Sequence, residues 1–337
     1  MKIGTIPLKN PLILAPMCDV TNLPFRLLCR EYGAAMTFSQ MVSAEALIRE
    51  NEASLRLAHS IPSEHPYGIQ LEGNCPASLR KAVFMLEAKA DLFDLNAGCP
   101  ADHVNKQGCG AELLKDPDLL LKCVRAMVSA TRKPVTVKMR RVAAREKKST
   151  IDLAKKLEKT GIAALAIHPR TQRQTYDVPA DLSLITDIKQ SLHIPVIGNG
   201  DLLTPESVKI MLKQTSCDCV MIARGAIGNP FFFQQVSTYL SSGKLLPSQT
   251  IKERLIDYMR YTDLAKKHLL QKDRSLKEYL IQFTKRVDGG KRVRIALGKI
   301  NDEQRLLDGV NDFLRHDGQD GKDTFAQGPA RQPQPQA

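Results

Sequence analysis

The sequence predicts a (β/α)8 barrel, the TIM-barrel fold, followed by a smaller α-helical domain. Eight short apolar runs typical of β-strands alternate with stretches of helical periodicity over about 230 residues. A doubly wound sheet usually has fewer strands and is the weaker alternative. After Leu246 only amphipathic helices are predicted. We therefore expect a barrel over residues 1–245, a helical domain over 246–315, and a disordered tail, rich in Gly, Gln and Pro, over 316–337.

The predicted strands share one feature, a polar or Gly-rich cluster where nearly every strand ends. They are Pro11–Met17, Met36–Gln40, Gly68–Leu71, Leu92–Asn96, Val135–Met139, Ala163–His168, Pro195–Asn199 and Cys219–Ala223. Helices are predicted between most of them, with Asn74, Asp152 or Thr150, and Thr204 as N-caps of three. Barrel enzymes place their active sites at the carboxyl ends of the strands. We expect the terminal clusters to form one shared site.

Composition and charge narrow the class of protein. Of 337 residues, 43% are hydrophobic and 25% charged, which excludes a mainly disordered chain. The formal net charge is +13, and residues 251–300 contain 14 Lys and Arg against 6 Asp and Glu. A solvated helix face normally interleaves the two signs about equally. The excess indicates a polyanionic partner, either nucleic acid or an anionic membrane surface.

Several classes of protein are disfavoured by what the sequence lacks. No apolar run approaches the roughly 18 residues that span a bilayer, and MKIGTIPLKN lacks the apolar stretch of a signal peptide. We therefore expect a soluble, cytoplasmic protein. Eight Cys are too sparse for a disulfide scaffold. Cys217 and Cys219 stand closer than the usual zinc pair, which has about two to four intervening residues. No GxGxxG motif follows an early strand, which argues against a Rossmann-type dinucleotide site.

The loops after the seventh and eighth predicted strands have the composition of a phosphate site. These loops are Asn199-Gly200-Asp201 and Ala223-Arg224-Gly225. In barrels this pair of loops commonly binds phosphate through backbone N–H groups, which Gly allows to approach closely. Arg224 adds a forked cationic donor. The alternative is that the two glycines only form tight turns, but because both loops carry one, we favour the phosphate site.

Lys138 and His168 end the fifth and sixth predicted strands. Lys138 lies within VTVKM, where an unpaired ammonium is costly and needs an anionic partner. A reduced flavin, negative at N1 and O2, would supply one. A salt bridge to a barrel carboxylate such as Asp94 is the alternative. His168 ends AALAIHP and fits a satisfied core histidine equally well.

Cys99 ends the fourth predicted strand within NAGCP, where Pro100 fixes the turn and the thiol is expected to face the barrel mouth. A thiol there can act as nucleophile, as proton donor, or in neither role. A proton donor must be protonated, as an unperturbed Cys is at neutral pH. Cys109 competes for the same role, because its loop, flanked by two glycines, is expected to be exposed.

Seven stretches spanning about residues 3–240 occur in the order found in one known family. They are LAPMCDVTNLPFRLLCREYGA, GIQLEG, DLNAGCPADHVNKQGCGAELLKDP, PVTVKMR, IHPRTQRQTY, IPVIGNGDLLTPE and DCVMIARGAIGNPFFF. On these motifs the chain resembles the tRNA dihydrouridine synthases, flavin-dependent enzymes that reduce uridine in tRNA. The start, KIGTIPLKNPLILAPM, is most similar to the bacterial B-type branch. The C-terminal third matches only in outline, as a basic helical domain.

The resemblance implies a barrel that holds FMN, NADPH as the reductant, and a helical domain that binds tRNA. It implies hydride transfer from flavin N5 to uracil C6, with Cys99 as the acid that protonates C5. It implies that the following residues contact the flavin: Pro16, Met17, Cys18, Gln70, Lys138 and His168, with Asn199, Gly200, Asp201, Ala223 and Arg224 around its phosphate end. Asn96 and Arg170 are implied to contact the uracil. No metal and no protein partner are predicted.

Two departures and two further hypotheses accompany this resemblance. Cys18-Asp19 and Cys109 stand where small residues are common in the family.

A flavin barrel acting on a free pyrimidine would explain the barrel but leave the basic helical domain without a role. A non-catalytic RNA-binding protein would not need Lys138, Cys99 and the phosphate loops together.

Overall fold

Residues 1–143, 146–268 and 276–316 are described by the computed structural model of the protein. They form two compact units, Met1–Pro247 and a second that begins at Ser248. The part of the predicted tail beyond residue 316 lies outside the described residues. Within the described ranges, no helix combines the length and apolar character needed to cross a membrane.

The first unit is built on short strands. They are β1 (Lys2–Ile3), β2 (Ile6–Pro7), β3 (Leu12–Leu14), β4 (Thr37–Phe38), β5 (Val42–Ser43), β6 (Tyr67–Glu72), β7 (Leu92–Ala97), β8 (Val135–Arg140), β9 (Ala164–His168), β10 (Val196–Asn199) and β11 (Cys219–Ile222). Eight of them pair in parallel in the order β3-β11-β10-β9-β8-β7-β6-β4. A bridge between Ile13 and Met36 joins the two ends of this order. The predicted (β/α)8 barrel and each of its eight strands are confirmed.

Helices of the first unit connect the barrel strands. They are α1 (Leu23–Glu31), α2 (Ala44–Ile48), α3 (Glu52–Leu57), α4 (Pro76–Leu86), α5 (Asp102–Asn105), α6 (Pro117–Val128), α7 (Lys148–Glu158), α8 (Leu182–Ser191), α9 (Pro205–Thr215) and α10 (Phe232–Ser242), with 3-10 turns at Glu87–Lys89 and Gly110–Lys115. Apolar faces of the longer helices are buried; on α6, for example, Leu120, Val124 and Met127 are fully enclosed. Since the strands are short and buried on both faces, these helices enclose the barrel core.

A hairpin of β1 and β2, which the sequence did not predict, packs against the amino-terminal end of the barrel. Ile3 is fully buried in the central core cluster. Gly4 lies so close to Pro134 that a Cβ there would come within 2.7 Å of the proline ring. Pro134 immediately precedes β8. The hairpin therefore covers the end of the barrel opposite to the strand ends where the polar clusters lie.

The second unit is helical in its described residues, as predicted. Its helices are α11 (Ile251–Lys267), α12 (Leu276–Phe283), α13 (Gly290–Leu297) and α14 (Glu303–His316). Aromatic rings form its core, and the rings of Tyr261 and Tyr279 stack at 4.2 Å between centroids. The sequence predicts amphipathic helices over Ile251–Lys267, Arg274–Val287 and Asp302–Leu314, and none over α13, because Gly289, at a φ of +78°, and Gly290 obscure its start. Many of the basic side chains are exposed, among them Lys285, Arg286 and Lys291.

Candidate active site

One cavity of about 340 Å³ opens among the loops at the carboxyl ends of the barrel strands. Seven of the eight barrel strands, all except β6, contribute residues to its wall. Most residues predicted for the site line this cavity: Pro16, Met17, Cys18, Asn96, Cys99, Lys138, His168, Asn199, Gly200, Asp201, Ala223 and Arg224. Gln70 and Arg170 do not line it. The separate strand-end clusters therefore do converge.

Asn96, at the end of β7, shapes the loop that carries Cys99. Its Oδ1 accepts hydrogen bonds from the backbone N–H groups of Gly98 and Cys99, at 3.0 and 2.9 Å. Its Nδ2 donates to Oε1 of Gln70 at 2.8 Å. Burial, with a smaller contribution from the nearby Glu72, raises the pKa of the Cys99 thiol. The thiol is therefore protonated at neutral pH and faces the cavity as a proton donor would.

Cys109 is buried, contrary to the prediction that its glycine-flanked loop is exposed. Its side chain is 6% accessible and does not line the cavity. Backbone hydrogen bonds hold this loop against the preceding residues. The Cys109 N–H donates to the Val104 carbonyl, and the Ala111 N–H donates to the carbonyl of Cys99 in the loop after β7. Burial raises the pKa of the Cys109 thiol to about 11. The flanking glycines allow this packing, and they do not indicate exposure.

Lys138 is half-buried in the cavity wall and forms no ion pair within the described part of the chain. The salt bridge to Asp94 considered above is absent. The Asp94 carboxylate instead accepts hydrogen bonds from Gln70 Nε2 at 2.7 Å and from Thr136 Oγ1 at 2.6 Å. Burial lowers the pKa of Lys138 to about 8, and the charge of Arg140 acts in the same direction. An ammonium in this position is suited to an anionic ligand.

Asp201 connects two loops of the cavity by pairing with two arginines. Its Oδ2 accepts from Arg170 Nη2 at 2.6 Å, and its Oδ1 accepts from Arg224 Nη2 at 2.9 Å. The guanidinium of Arg224 also lies 3.6 Å from the centre of the Tyr176 ring. These contacts fix the loop after β9, which carries Tyr176, to the loops after β10 and β11.

The side chain of Arg170 does not line the cavity. Its side chain is buried, donates to Asp201 and to the Val178 carbonyl, and lies 3.2 Å from His168 Nε2. These partners hold its guanidinium behind the cavity wall, and its contact with the uracil stays a prediction. Burial, together with Lys138, Arg140 and Arg170, lowers the pKa of His168 to about 2, so the imidazole is neutral.

The two loops predicted to bind phosphate are both constrained in conformation at their glycines. Gly200 has a φ of +135°, in the region that favours glycine. A Cβ at Gly225 would clash with the Leu202 carbonyl oxygen. The backbone N–H groups of Gly200, Arg224 and Gly225 have no acceptor among the described residues. Free N–H groups next to a guanidinium form a suitable anion site.

The loop after β3 is held in place by hydrogen bonds between its backbone and the side chains of Thr21 and Gln40. The Met17 N–H donates to Thr21 Oγ1 at 3.1 Å, and the Thr21 hydroxyl donates to the Met17 carbonyl at 3.0 Å. Asp19 has a φ of +56°, and its N–H donates to Gln40 Oε1 at 2.6 Å. Pro16, Met17 and Cys18 therefore form a fixed part of the cavity wall, and the unusual Asp19 side chain lies beyond it.

Two charged or aromatic residues of the cavity were not predicted. Arg140 donates from Nε to the Gly98 carbonyl and from Nη1 to the Thr171 carbonyl, both at 2.9 Å. It follows Lys138 by two positions on β8 and so shares its inward face, a pattern that the sequence does contain. Tyr176 lies eight residues beyond the end of β9, in an irregular loop. No local pattern in the sequence places its ring at the cavity.

The fold and the cavity together define a (β/α)8 barrel with a protonated thiol beside a basic wall at the carboxyl ends of its strands. The chain matches the family model for dihydrouridine synthases over residues 13–315. The tRNA-dihydrouridine synthase B of Vibrio vulnificus is 42% identical over 255 residues, 75% of this chain and 79% of that protein. That of Pseudomonas aeruginosa is 34% identical over 320 residues, 93% and 96% of the two chains. The chain belongs to the dihydrouridine synthase family, whose members are flavin-dependent oxidoreductases that act on tRNA, and the B-type resemblance is confirmed.

A solved structure shares the fold of the barrel. The old yellow enzyme homologue from Zymomonas mobilis superposes with a TM-score of 0.50 at 15% identity, over 74% of this chain and 93% of that one. At this level of identity the likeness concerns the barrel architecture alone.

Proposed function

We propose that this protein reduces specific uridines of tRNA to 5,6-dihydrouridine in the cytoplasm, with FMN as bound cofactor and NADPH as reductant. Family membership gives the reaction class. The observation that carries the proposal for this chain is the convergence, in one cavity, of a protonated thiol at Cys99, an ammonium without an ion pair at Lys138, and two loops with free backbone N–H groups.

The cavity residues fit FMN at both of its anionic ends. Lys138 would lie against the ring edge at N1 and O2, where a reduced flavin is negative. The N–H groups of Gly200, Arg224 and Gly225, with the Arg224 guanidinium, would hold the phosphate. Pro16, Met17, Cys18, His168, Asn199 and Ala223 would complete the wall. When bound and reduced, FMN supplies the hydride that C6 of the uracil receives.

The protein supplies the proton and the orientation. Cys99 Sγ gives its proton to C5 of the uracil, so that the C5–C6 double bond becomes a single bond with one hydrogen added at each carbon. The resulting thiolate is stabilised by the charges of Lys138 and Arg140 nearby, and it regains a proton from solvent. Asn96 and Arg140 fix the backbone of the Cys99 loop from opposite ends. A neutral His168 adds no competing charge to the ring edge.

The substrate must place one base in this cavity. A uracil stacked in folded RNA exposes neither its face nor C6, so it has to leave the stack at a cost of a few kcal/mol. We infer that phosphate contacts from the basic helices of residues 251–300 offset this cost. A free pyrimidine would need no such helices, which favours tRNA as substrate.

The function is tested with purified protein, NADPH and tRNA that lacks dihydrouridine, followed by nucleoside mass spectrometry. We expect dihydrouridine from tRNA and none from free uridine. Cys99→Ala is expected to lower the rate by about 10²–10⁴-fold through loss of the acid. Cys109→Ala, a matched change at the buried thiol, is expected to keep most activity. A yellow, NADPH-reducible protein that leaves tRNA unchanged would refute the proposal, and full activity in Cys99→Ala would refute the assignment of the acid.

A further inference from the structure

Beneath the Cys99 loop, three neighbouring barrel strands are connected by side chains that the proposed reaction does not use. Gln70 on β6, Asp94 on β7 and Thr136 on β8 are direct register partners. All three are at most 1% exposed. The Asp94 carboxylate accepts from Thr136 Oγ1 at 2.6 Å on one side and from Gln70 Nε2 at 2.7 Å on the other.

From Gln70 the hydrogen bonds continue to the loop of the acid. Gln70 Oε1 accepts from Asn96 Nδ2 at 2.8 Å, and Asn96 Oδ1 accepts from the Gly98 and Cys99 N–H groups. Asp94, Gln70 and Asn96 form a buried relay that ends on the backbone of Cys99.

Asp94 determines which groups donate and which accept in this chain of hydrogen bonds. An ionised carboxylate only accepts hydrogen bonds, so Gln70 has to turn its NH2 group towards Asp94 and its oxygen towards Asn96. Asn96 then has to present its NH2 group to Gln70 and its oxygen to the two backbone N–H groups. If the Gln70 amide turned over, two NH2 groups would face each other, and Asn96 would have to release one of its partners.

We propose that Asp94 is a positioning residue for proton transfer, which acts through Gln70 and Asn96 to fix the Cys99 backbone and so the direction of its thiol. The inference rests on the proposed function in so far as Cys99 is the acid. Arg140 holds the same loop at the Gly98 carbonyl, so the relay fixes its N–H side and Arg140 its carbonyl side. Loss of the relay leaves the loop attached at one side only.

Three variants separate positioning from stability. Asp94→Leu removes the acceptor and keeps the branch at Cγ in a larger side chain. Asp94→Asn keeps an oxygen for Gln70 and an NH2 group for Thr136, and Thr136→Val removes only the bond on the side away from Cys99. Since a displacement of about 1 Å can cost about 100-fold in rate, we expect Asp94→Leu to lower kcat by about that factor. We expect Asp94→Asn and Thr136→Val to stay within about tenfold of the parent.

A second readout needs neither flavin nor tRNA. Flavin-free protein is treated with iodoacetamide, and alkylation is followed by peptide mass spectrometry at Cys99, with Cys75 as internal reference. A loosened loop exposes Cys99, so we expect faster alkylation of Cys99 relative to Cys75 in Asp94→Leu and an unchanged ratio in Asp94→Asn and Thr136→Val. If Asp94→Leu does not fold, Gln70→Met breaks the same relay and is expected to give the same increase.

The outcomes distinguish failure of the relay from failure of the proposed function. An unchanged Cys99 ratio in Asp94→Leu or Gln70→Met would overturn the relay, as would equal losses of kcat in Asp94→Leu and Thr136→Val. Parent protein that forms no dihydrouridine would refute the proposed function, while the alkylation ratio would still report on the loop.

Discussion

The surroundings of His168 make the stability of the barrel depend on pH. Its pKa is lowered to about 2 in the folded protein, whereas an unfolded imidazole titrates near about 6.5. Between these values the unfolded chain binds a proton that the folded chain does not, so stability from this residue is present above about pH 6.5 and lost as the pH falls.

We expect the flavin-free parent to lose about 1 kcal/mol more of its free energy of unfolding than His168→Gln between pH 6.5 and 5.5. Urea denaturation at the two pH values measures the difference. A further measurement at pH 7.5 gives the reference for both proteins, because the parent's imidazole is largely neutral there in the folded and the unfolded state. Equal losses in the two proteins would mean that the pKa of His168 does not differ between the folded barrel and the unfolded chain.

Individual residues were predictable where chemistry alone constrains them. An ammonium inside an apolar strand needs an anion, and Lys138 does line a cavity without an ion pair in the described residues. Exposure was not predictable, because it depends on how a loop packs: Cys109 is buried by backbone bonds to Val104 and within its own turn. The motif places Arg170 at the end of a strand, but it does not show where the side chain lies. That depends on an ion pair with Asp201, which is 31 positions further along the chain.

At the scale of elements, the loops after β10 and β11 have little freedom to change. A Cβ at Gly225 would meet the Leu202 carbonyl oxygen and the ring of Phe232. Because a carbonyl oxygen of the backbone cannot rotate away as a side chain can, the two phosphate loops would have to separate.

We expect Gly225→Ala to weaken FMN binding by at least about tenfold, the equivalent of about one hydrogen bond to a charged group. Gly161→Ala is the matched control. Gly161 also has an unfavourable backbone for alanine, with a φ of +91°, but it lies before β9 at the opposite end of the strands. Titration of flavin-free protein by fluorescence gives both affinities. A comparable loss in Gly161→Ala would show that general destabilisation is responsible.

The local sequence predicts some helix N-caps correctly and others not. Thr204 caps α9 as predicted, in a reciprocal capping box with Ser207. Asp152 and Thr150 do not cap α7, which begins two residues before Thr150, at Lys148. Asn74 does not cap α4: its amide donates to the Gln107 carbonyl, and Cys75 takes the cap position without a side-chain bond. The competing partner is distant in sequence. The hairpin of β1 and β2 was missed for another reason, since two-residue strands are too short to show a period.

At the scale of the whole molecule, the charge distribution predicts how tRNA binding responds to salt. Lys285, Arg286 and Lys291 are exposed in the helical unit. If they neutralise phosphates, changing all three to Gln reduces the magnitude of the negative slope of log K against log salt by about 2–3, because fewer counterions are released.

Binding is measured by filter retention or anisotropy between low and physiological salt. The matched control carries the same three changes at Lys155, Lys156 and Lys159, which are exposed at the C-terminal end of α7 in the barrel, Lys159 being its C-cap. We expect a smaller change of slope in the control. A parent slope near zero, or equal changes in both variants, would exclude the proposed role of residues 251–300.

The barrel as a whole was predictable because its signal is repeated eight times, so that an error at one strand is outweighed by the others. The site was predictable to the extent that barrel topology brings every strand end to one mouth. What the sequence does not contain are contacts between loops, such as Tyr176 against Arg224, since these depend on irregular backbone.

The pairing of β3 with β11 also orders events during synthesis. Leu12 bonds in register with Val220, so the first barrel strand to leave the ribosome waits for the last before its free edge is covered. Both phosphate loops come from the final two strands and are complete only once Gly225 has emerged. Under the proposed function, a nascent chain from which Gly225 has not yet emerged lacks part of the phosphate site, so FMN can be held by both loops only after the sequence of the last strand has left the ribosome.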